Sequence, residues 1–86
     1  MPLFEFYGET CPHCIEMKPL VEKLEQELGV RIEQKEVWNN ADNALEQGKY
    51  DDDLCGGVPF FYNTQTGKHI CGSTDYETLK KWATGE

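Results

Sequence analysis

Two cysteines separated by two residues stand between a short apolar segment and a long amphipathic one. The segment Leu3–Tyr7 is rich in aromatic residues, ends at Gly8 and predicts a buried strand. The motif Cys11-Pro12-His13-Cys14 follows, and a proline in its second position suits the first turn of a helix. Apolar side chains then recur at helical spacing until Gly29: Ile15, Met17, Leu20, Val21, Leu24 and Leu28. The cysteines therefore lie at a predicted strand-to-helix junction.

The middle of the chain predicts one further strand and one further helix. Residues 30–37 alternate in polarity as a half-exposed strand near a sheet edge does. Asn39-Asn40 could cap a short helix over residues 41–47, which Gly48 would end. Residues 49–57 are polar and acidic, which is typical of a solvated loop or of a final helical turn.

The last third predicts a hairpin and a closing helix. Residues 58–62 and 68–71 form the two strands around a turn at residues 63–67. The order is then βαβαββα within a single domain, residues 1–86. A helical crossover makes its two strands parallel and a hairpin is antiparallel, so we expect an α/β fold with a four-stranded mixed sheet and helices on both faces. The last helix follows Gly72-Ser73-Thr74 and has an apolar face of Tyr76, Leu79, Trp82 and Ala83.

Charge and hydropathy exclude several classes of partner. The 86 residues carry a formal net charge of −8, whereas nucleic acids and anionic membranes require a basic surface. No apolar run approaches the ~18 residues of a membrane span. The first residues lack the basic region of a secretory signal, so we expect a cytoplasmic protein. In a reducing compartment, four cysteines are not expected to form a structural disulfide framework.

The position of the cysteine motif suggests redox chemistry. The free N–H groups and the positive end of the dipole at a helix N-terminus stabilise an anion, and a Cys11 thiolate would be that anion. Pro12 keeps the turn rigid, and a protonated His13 would add positive charge. Cys14 lies one turn further on the same face, within reach of a disulfide. Cys11 is therefore the predicted attacking thiol and Cys14 the resolving thiol.

Four features together resemble the thioredoxin-fold thiol–disulfide oxidoreductases, at the size of a glutaredoxin and over nearly the whole chain. The stretch FEFYGETCPHC resembles the active-site region of protein disulfide isomerase domains, and CPHC is the motif of bacterial disulfide oxidases of the DsbA type. Pro19 is placed like the proline inside the active-site helix of thioredoxins, where it should kink the helix. GGVP is similar to the Gly-x-Pro loop of the family.

The resemblance implies roles for three further residues. Glu5 occupies the position of the family's buried acid, and burial would raise its pKa and make it a proton acceptor. Pro59 would be a cis-proline facing the cysteines, and the backbone of Val58 would pair with a bound substrate segment. Thr10 departs from the family, since thioredoxins usually carry tryptophan there.

A second implied site concerns glutathione. The turn before the last helix resembles the glutathione-binding turn of glutaredoxins and includes Gly72, with Asp75 at the acidic position. Glutaredoxins also use basic residues near the motif, whereas here Glu9 stands beside it. The net charge of −8 would repel the glutathione anion. Glutathione dependence is therefore the alternative, and not the first prediction.

The two remaining cysteines leave several alternatives open. If the hairpin turns around residues 65–66, Cys71 faces Pro59 at the rim of the active site. Cys71 could then be an accessory thiol that relays a disulfide, or an inert small residue. Cys55 occupies a position that is usually apolar in the family, which predicts a buried thiol, and a Cys55–Cys71 bridge is a further alternative.

The predicted function is thiol–disulfide exchange on protein substrates through a mixed disulfide. No cofactor is expected besides the redox-active pair of Cys11 and Cys14. The electron donor would be a reductase or glutathione, and we expect a monomer. A metal-binding module is the alternative from another class, although a zinc site usually takes two Cys-x-x-Cys pairs and this chain has one.

Overall fold

The computed structural model describes residues 3–52 and 55–85, and these residues form three helices and four strands. Their order is βαβαββα, as the sequence predicts. The elements are β1 (Leu3–Tyr7), α1 (Pro12–Leu28), β2 (Ile32–Glu36), α2 (Ala41–Asp51), β3 (Phe60–Asn63), β4 (His69–Cys71) and α3 (Tyr76–Thr84).

The strands form one mixed sheet in the order β2-β1-β3-β4. β1 and β2 are parallel, because α1 returns the chain across the sheet between them. β1 and β3 are antiparallel, and so are β3 and β4. This topology confirms the predicted fold class, and β2 lies at an edge of the sheet as its polar alternation indicated.

Alternation along the strands divides the core between two faces of the sheet. Leu3 and Phe61 point toward one face, which α1 and α3 cover. Phe4, Phe6 and Phe60 point toward the other face and pack with residues around α2. The first face is closed by the buried helix side chains Met17, Val21, Leu24, Leu79 and Trp82.

The helix α2 extends beyond Gly48, so the prediction that this glycine ends the helix is wrong. The helix continues to Asp51, and Asp52 is the left-handed residue that closes it, with φ of 44°. Its last turn is stabilised by Tyr50, whose ring centroid lies 5.3 Å from that of Phe4. Apolar packing of this turn outweighs the roughly 1 kcal/mol that a glycine costs inside a helix.

The strand β3 begins at Phe60, two residues later than predicted. Pro59 carries no N–H group and cannot donate a hydrogen bond to the sheet. Val58 and Pro59 therefore form a loop that leads into β3 beside the start of α1.

Candidate active site

The sulfur of Cys11 lies at the N-terminus of α1. Cys11 is the N-cap residue, with φ of −69° and ψ of 118°, and Pro12 begins the helix. The backbone N–H of Cys14 donates a hydrogen bond to the Cys11 sulfur at 3.3 Å. The backbone N–H of Cys11 donates to Gly8 at 3.1 Å, which fixes the turn that precedes the helix. A thiolate at this position would receive a helix N–H directly.

Cys14 lies one helical turn after Cys11 and is buried like it. Both side chains are free thiols in the structure. Burial, followed by the hydrogen bond with Cys11, raises the pKa of the Cys14 thiol. The surroundings of the two sulfurs therefore differ: a backbone N–H points at the Cys11 sulfur, whereas burial favours the protonated form of Cys14.

Glu5 is the buried acid beneath the motif, with 1% of its surface exposed. Its burial raises its pKa from 4.5 to about 7, although the hydrogen bond from Gln34 and the charge of Lys18 oppose this shift. Gln34 Nε2 donates to Glu5 Oε1 at 2.8 Å, which holds the carboxyl in one orientation. A carboxyl with this pKa can accept and release a proton near neutral pH.

A small cavity lies between this acid and Cys14. It has a volume of about 60 Å³, and its lining includes Glu5, Cys14, Lys18 and Gln34. Polar groups line it together with the thiol, so the cavity can hold water between the Glu5 carboxyl and the Cys14 sulfur. The geometry thus provides a route by which a proton can leave Cys14.

The loop formed by Val58 and Pro59 lies beside the Cys11 sulfur. The peptide bond between them is cis, the geometry that the family resemblance implied. The Val58 carbonyl oxygen lies 3.8 Å from the Cys11 sulfur. The N–H of Gly72 donates to the Pro59 carbonyl at 2.8 Å and ties the loop to the end of β4.

His13 is exposed and has an acidic partner. Its Nδ1 lies 3.6 Å from Glu16 Oε2, one turn further along α1, and 66% of its side chain is exposed. A protonated His13 would therefore form an ion pair with Glu16, which reduces the positive charge that the sequence suggested beside Cys11.

The two residues of the predicted glutathione turn have local structural roles. Gly72 has φ of 88°, in the left-handed region that favours glycine. Asp75 caps α3, and its carboxylate accepts the N–H of Thr78 at 2.8 Å. Hydrogen bonding with Thr78 holds the pKa of Asp75 below its ordinary value. Binding of a ligand by these residues stays a prediction.

An exposed indole near the motif was missed in the sequence. A Cβ on Gly8 would lie 2.3 Å from the ring of Trp38, so this ring packs directly on the glycine. Trp38 is 54% exposed and comes from the loop after β2. Its loop is ordered by Glu36, whose carboxylate accepts the N–H groups of Trp38 and Asn39. A tryptophan before a helix cap gives no sequence signal of this contact.

A groove runs from this indole along α2 to the Val58 loop. Its volume is about 580 Å³, and Trp38, Gln47, Asp52 and Val58 contribute to its walls. Asp51 also lines the groove, and its carboxylate accepts the N–H groups of Cys55 and Gly56 at 2.6 and 2.9 Å, respectively. The groove opens beside the loop that contacts Cys11.

The structure corrects the predictions for Cys55 and Cys71, which form a disulfide. Cys71 is therefore not a free accessory thiol. Cys55 is half-buried and bonded to Cys71, so the prediction of a buried free thiol is wrong. Cys71 pairs with Phe60 in the sheet, and not with Pro59. The one-residue difference places it on the face covered by α2.

Neither metal binding nor membrane insertion gains support from the described residues. Within residues 3–52 and 55–85, no three potential metal ligands converge on one point. Cys55 and Cys71 are bonded to each other, so neither offers a thiolate beside Cys11 and Cys14. None of the helices in the described ranges is both long and apolar enough to cross a bilayer.

Comparison with known proteins identifies the family. The chain resembles the oxidized form of mitochondrial thioredoxin 3 from Saccharomyces cerevisiae, with a TM-score of 0.66, 23% identity, and coverage of 98% of this chain and 76% of that chain. It also resembles wheat glutaredoxin, with a TM-score of 0.60, 28% identity, and coverage of 94% and 72%, respectively. No curated protein sequence matches it. The Thioredoxin family model matches residues 1–85, and the chain therefore belongs to the thioredoxin family of thioredoxin-fold oxidoreductases.

Proposed function

We propose that this chain exchanges disulfides with protein substrates through Cys11 and Cys14. The observation that carries the proposal is the Cys11 sulfur at the N-cap of α1, where it receives the N–H of Cys14 at 3.3 Å. This donor stabilises a thiolate, which is the form that attacks a disulfide. No cofactor is needed besides the cysteine pair itself.

The reaction proceeds in two exchanges. The Cys11 thiolate attacks one sulfur of the substrate disulfide, the other substrate sulfur leaves, and a mixed disulfide forms. Cys14 then loses its proton and attacks the Cys11 sulfur, which releases the second substrate thiolate and leaves a Cys11–Cys14 disulfide. Glu5 accepts the Cys14 proton through the cavity that both residues line. An external dithiol returns the pair to its reduced form.

The Val58 loop supplies the surface for a substrate segment. Val58 lies two residues before the start of β3, and its carbonyl oxygen lies 3.8 Å from the Cys11 sulfur. An extended peptide that pairs with this backbone would carry its cysteine to Cys11, in the manner of an added strand. Such pairing uses main-chain groups, so it accepts many protein sequences.

The surroundings favour a protein reductant over glutathione. Glu9 and Glu36 lie beside the motif, linked through Asn39, and Glu16 pairs with His13. These carboxylates would repel the glutathione anion. The alternative is a glutathione-coupled enzyme, which the Gly72 turn and the similarity to wheat glutaredoxin favour. Activity coupled to thioredoxin reductase, compared with activity coupled to glutathione reductase, separates the two.

Substitution of each cysteine tests the mechanism. With dithiothreitol as the electron donor, Cys11→Ser should abolish the catalysed reduction of insulin disulfides. Cys14→Ser should instead accumulate a mixed disulfide with the substrate, which mass spectrometry detects. Glu22→Gln, on the exposed side of the same helix, is the matched control and should keep full activity. Retained turnover in Cys11→Ser would refute the proposal.

The reduction potential of the Cys11–Cys14 pair gives the direction of electron flow. A value near about −270 mV would be that of a disulfide reductase, and a value near about −120 mV that of an oxidase. The measurement uses glutathione and dithiothreitol redox buffers and a chain in which Cys55 and Cys71 are replaced by serine.

A further inference from the structure

The disulfide between Cys55 and Cys71 connects two segments that both reach the active-site loop. Cys55 precedes Val58 by three residues, and its sulfur lies 3.6 Å from the carbonyl oxygen of Gly57. Cys71 is the last residue of β4, next to Gly72, which holds the Pro59 carbonyl. The disulfide therefore links the segment before the Val58 loop to the strand end that holds the other side of this loop.

The constraint falls on residues 56–59. Cys71 already pairs with Phe60 in the sheet, so the disulfide adds no further restraint on the hairpin from Phe60 to Cys71. Gly56 has φ of 74°, and a Cβ on either Gly56 or Gly57 would meet no atom within 4 Å. Packing at these glycines therefore does not fix the segment. It is held by the disulfide, by the hydrogen bonds to Asp51, by the Gln47 side chain, which donates to the Gly57 carbonyl at 2.8 Å, and by the hydrogen bond from Gly72 to the Pro59 carbonyl.

The disulfide is open to attack from solvent. Cys71 is exposed and Cys55 is half-buried, in contrast to the buried sulfurs of Cys11 and Cys14. Cys71 is exposed as a residue and belongs to β4, an edge strand of the sheet, so the disulfide lies at the surface of the molecule and not within the core. Access is one of the properties that separate a reactive disulfide from a structural one.

We propose that Cys55–Cys71 is a second redox-active disulfide, which an external dithiol reduces and whose state controls the position of the Val58 loop. The control of the loop rests on the proposed role of Val58 in substrate binding. With the bond intact, the loop is held in place for pairing with a substrate. Reduction removes the covalent restraint and leaves the glycine segment held by hydrogen bonds alone, so further ordering of that segment must then accompany each binding event.

The reduction transfers two electrons. A thiolate of the dithiol attacks the Cys71 sulfur, the disulfide bond breaks, and Cys55 leaves as a thiolate that takes a proton from water. The second thiol of the dithiol releases its proton to solvent and attacks the dithiol's own sulfur in the mixed disulfide, and Cys71 leaves as a thiolate that takes a proton from water. The dithiol is oxidised to a disulfide, and the protein gains two thiols.

The first experiment follows the disulfide alone, in the full chain with Cys11→Ser and Cys14→Ser. The oxidised protein is mixed with a series of dithiothreitol concentrations, thiols are trapped by alkylation, and mass spectrometry locates them. We expect the reduction rate to rise in proportion to dithiothreitol while the circular dichroism stays native, and oxidised glutathione should restore the bond. The same peptides are followed in the wild-type chain, so that a folding defect in the variant does not prevent the test.

Three results would overturn the proposal. A rate independent of dithiothreitol would mean that the bond opens only after unfolding. A requirement for denaturant would mean that it is structural, and failure of the bond to form under oxidised glutathione would remove the site altogether. None of these results depends on catalysis by Cys11, which the variant lacks.

The second experiment measures the effect on the substrate loop. In a Cys14→Ser background, the rate at which Cys11 forms a mixed disulfide with a short disulfide peptide is compared with and without Cys55→Ser and Cys71→Ser. We expect the rate at low peptide concentration to fall roughly three- to tenfold without the bond. Gln65→Ala, an exposed change in the same hairpin, should leave it unchanged. Equal rates would overturn the control of the loop, whereas no reaction in any variant would refute the proposed function instead.

Discussion

Glu5 is held between opposing influences in the interior of the sheet. Burial disfavours its charge, while Gln34 and Lys18 favour it, and the balance leaves its pKa at about 7. The sequence indicated an acid in an otherwise apolar strand, and the family resemblance gave it a position. The partner was not predictable, because Gln34 meets Glu5 only through the parallel register of β1 and β2.

Replacement of Glu5 should slow the second exchange. In Glu5→Gln, we expect the release of substrate from the mixed disulfide to fall at least roughly tenfold at pH 7, because no base receives the Cys14 proton. The wild-type rate should rise with pH through about 7, as Glu5 ionises, and this rise should be absent in the variant. Stopped-flow measurement of a single turnover checks both, with Glu22→Gln as the control, and an unchanged pH profile would contradict the assignment.

The same residue should make stability depend on pH. The folded chain retains the Glu5 proton up to about pH 7, whereas the unfolded chain releases it near 4.5, so the free energy of unfolding falls as pH rises across this interval. Glu5→Gln has no carboxyl to titrate here, so its free energy of unfolding does not fall for this reason. The free energy of unfolding of the variant minus that of the wild type should therefore be about 3 kcal/mol larger at pH 8 than at pH 4. Urea denaturation at the two pH values measures the difference, and a pH-independent difference would be inconsistent with a buried, titrating Glu5.

The elements show where sequence patterns were sufficient. Apolar periodicity, Gly29 and Pro12 located α1, since each acts within a few residues. The hairpin register was missed by one residue. The hydrogen bond from the Asn63 N–H to the Lys68 carbonyl encloses residues 64–67, and within this turn Asn63 Oδ1 accepts the N–H groups of Gln65 and Thr66. Side-chain hydrogen bonds inside a turn leave no periodic signal, and this single residue moved Cys71 to the other face, toward Cys55.

The end of α2 depends on a carboxylate in its last turn. In Asp51→Asn, the N–H groups of Cys55 and Gly56 lose a charged acceptor, and we expect a loss of about 1–3 kcal/mol in the free energy of unfolding. Asp52→Asn is the matched control, since Asp52 is exposed and asparagine tolerates its left-handed backbone. Denaturant titration of both variants makes the comparison, and equal stabilities would show that the Asp51 carboxylate does not order the loop.

The molecule as a whole is acidic, and the acidity extends to its active site. Acidic residues number 16 against 8 basic ones. Glu9, Glu16 and Glu36 belong to or adjoin the segments that form the site. Composition gave the sign of the charge, but the sequence did not show that these carboxylates lie together, since they come from separate segments.

The charge should select among small disulfides. At low salt, reduced Cys11 should react faster with cystamine, which is cationic, than with oxidised glutathione, which is anionic. Each rate is expressed relative to that with an uncharged disulfide. The ratio of the two rates should shrink as salt is raised above about 0.1 M, where the screening length falls to about 10 Å. Second-order rates with Cys14→Ser provide the measurement, and a ratio insensitive to salt would argue against steering by charge.

Both edges of the sheet are protected against the addition of a further strand. At one edge, β2 carries Glu33 and Lys35, and Lys35 forms an ion pair with Glu46 of α2. At the other edge, β4 has only three residues and ends at the disulfide. Charged side chains and short edge strands both discourage edge-to-edge aggregation. Within the described residues, the two edge strands therefore present little exposed backbone on which copies of this chain could assemble into fibres.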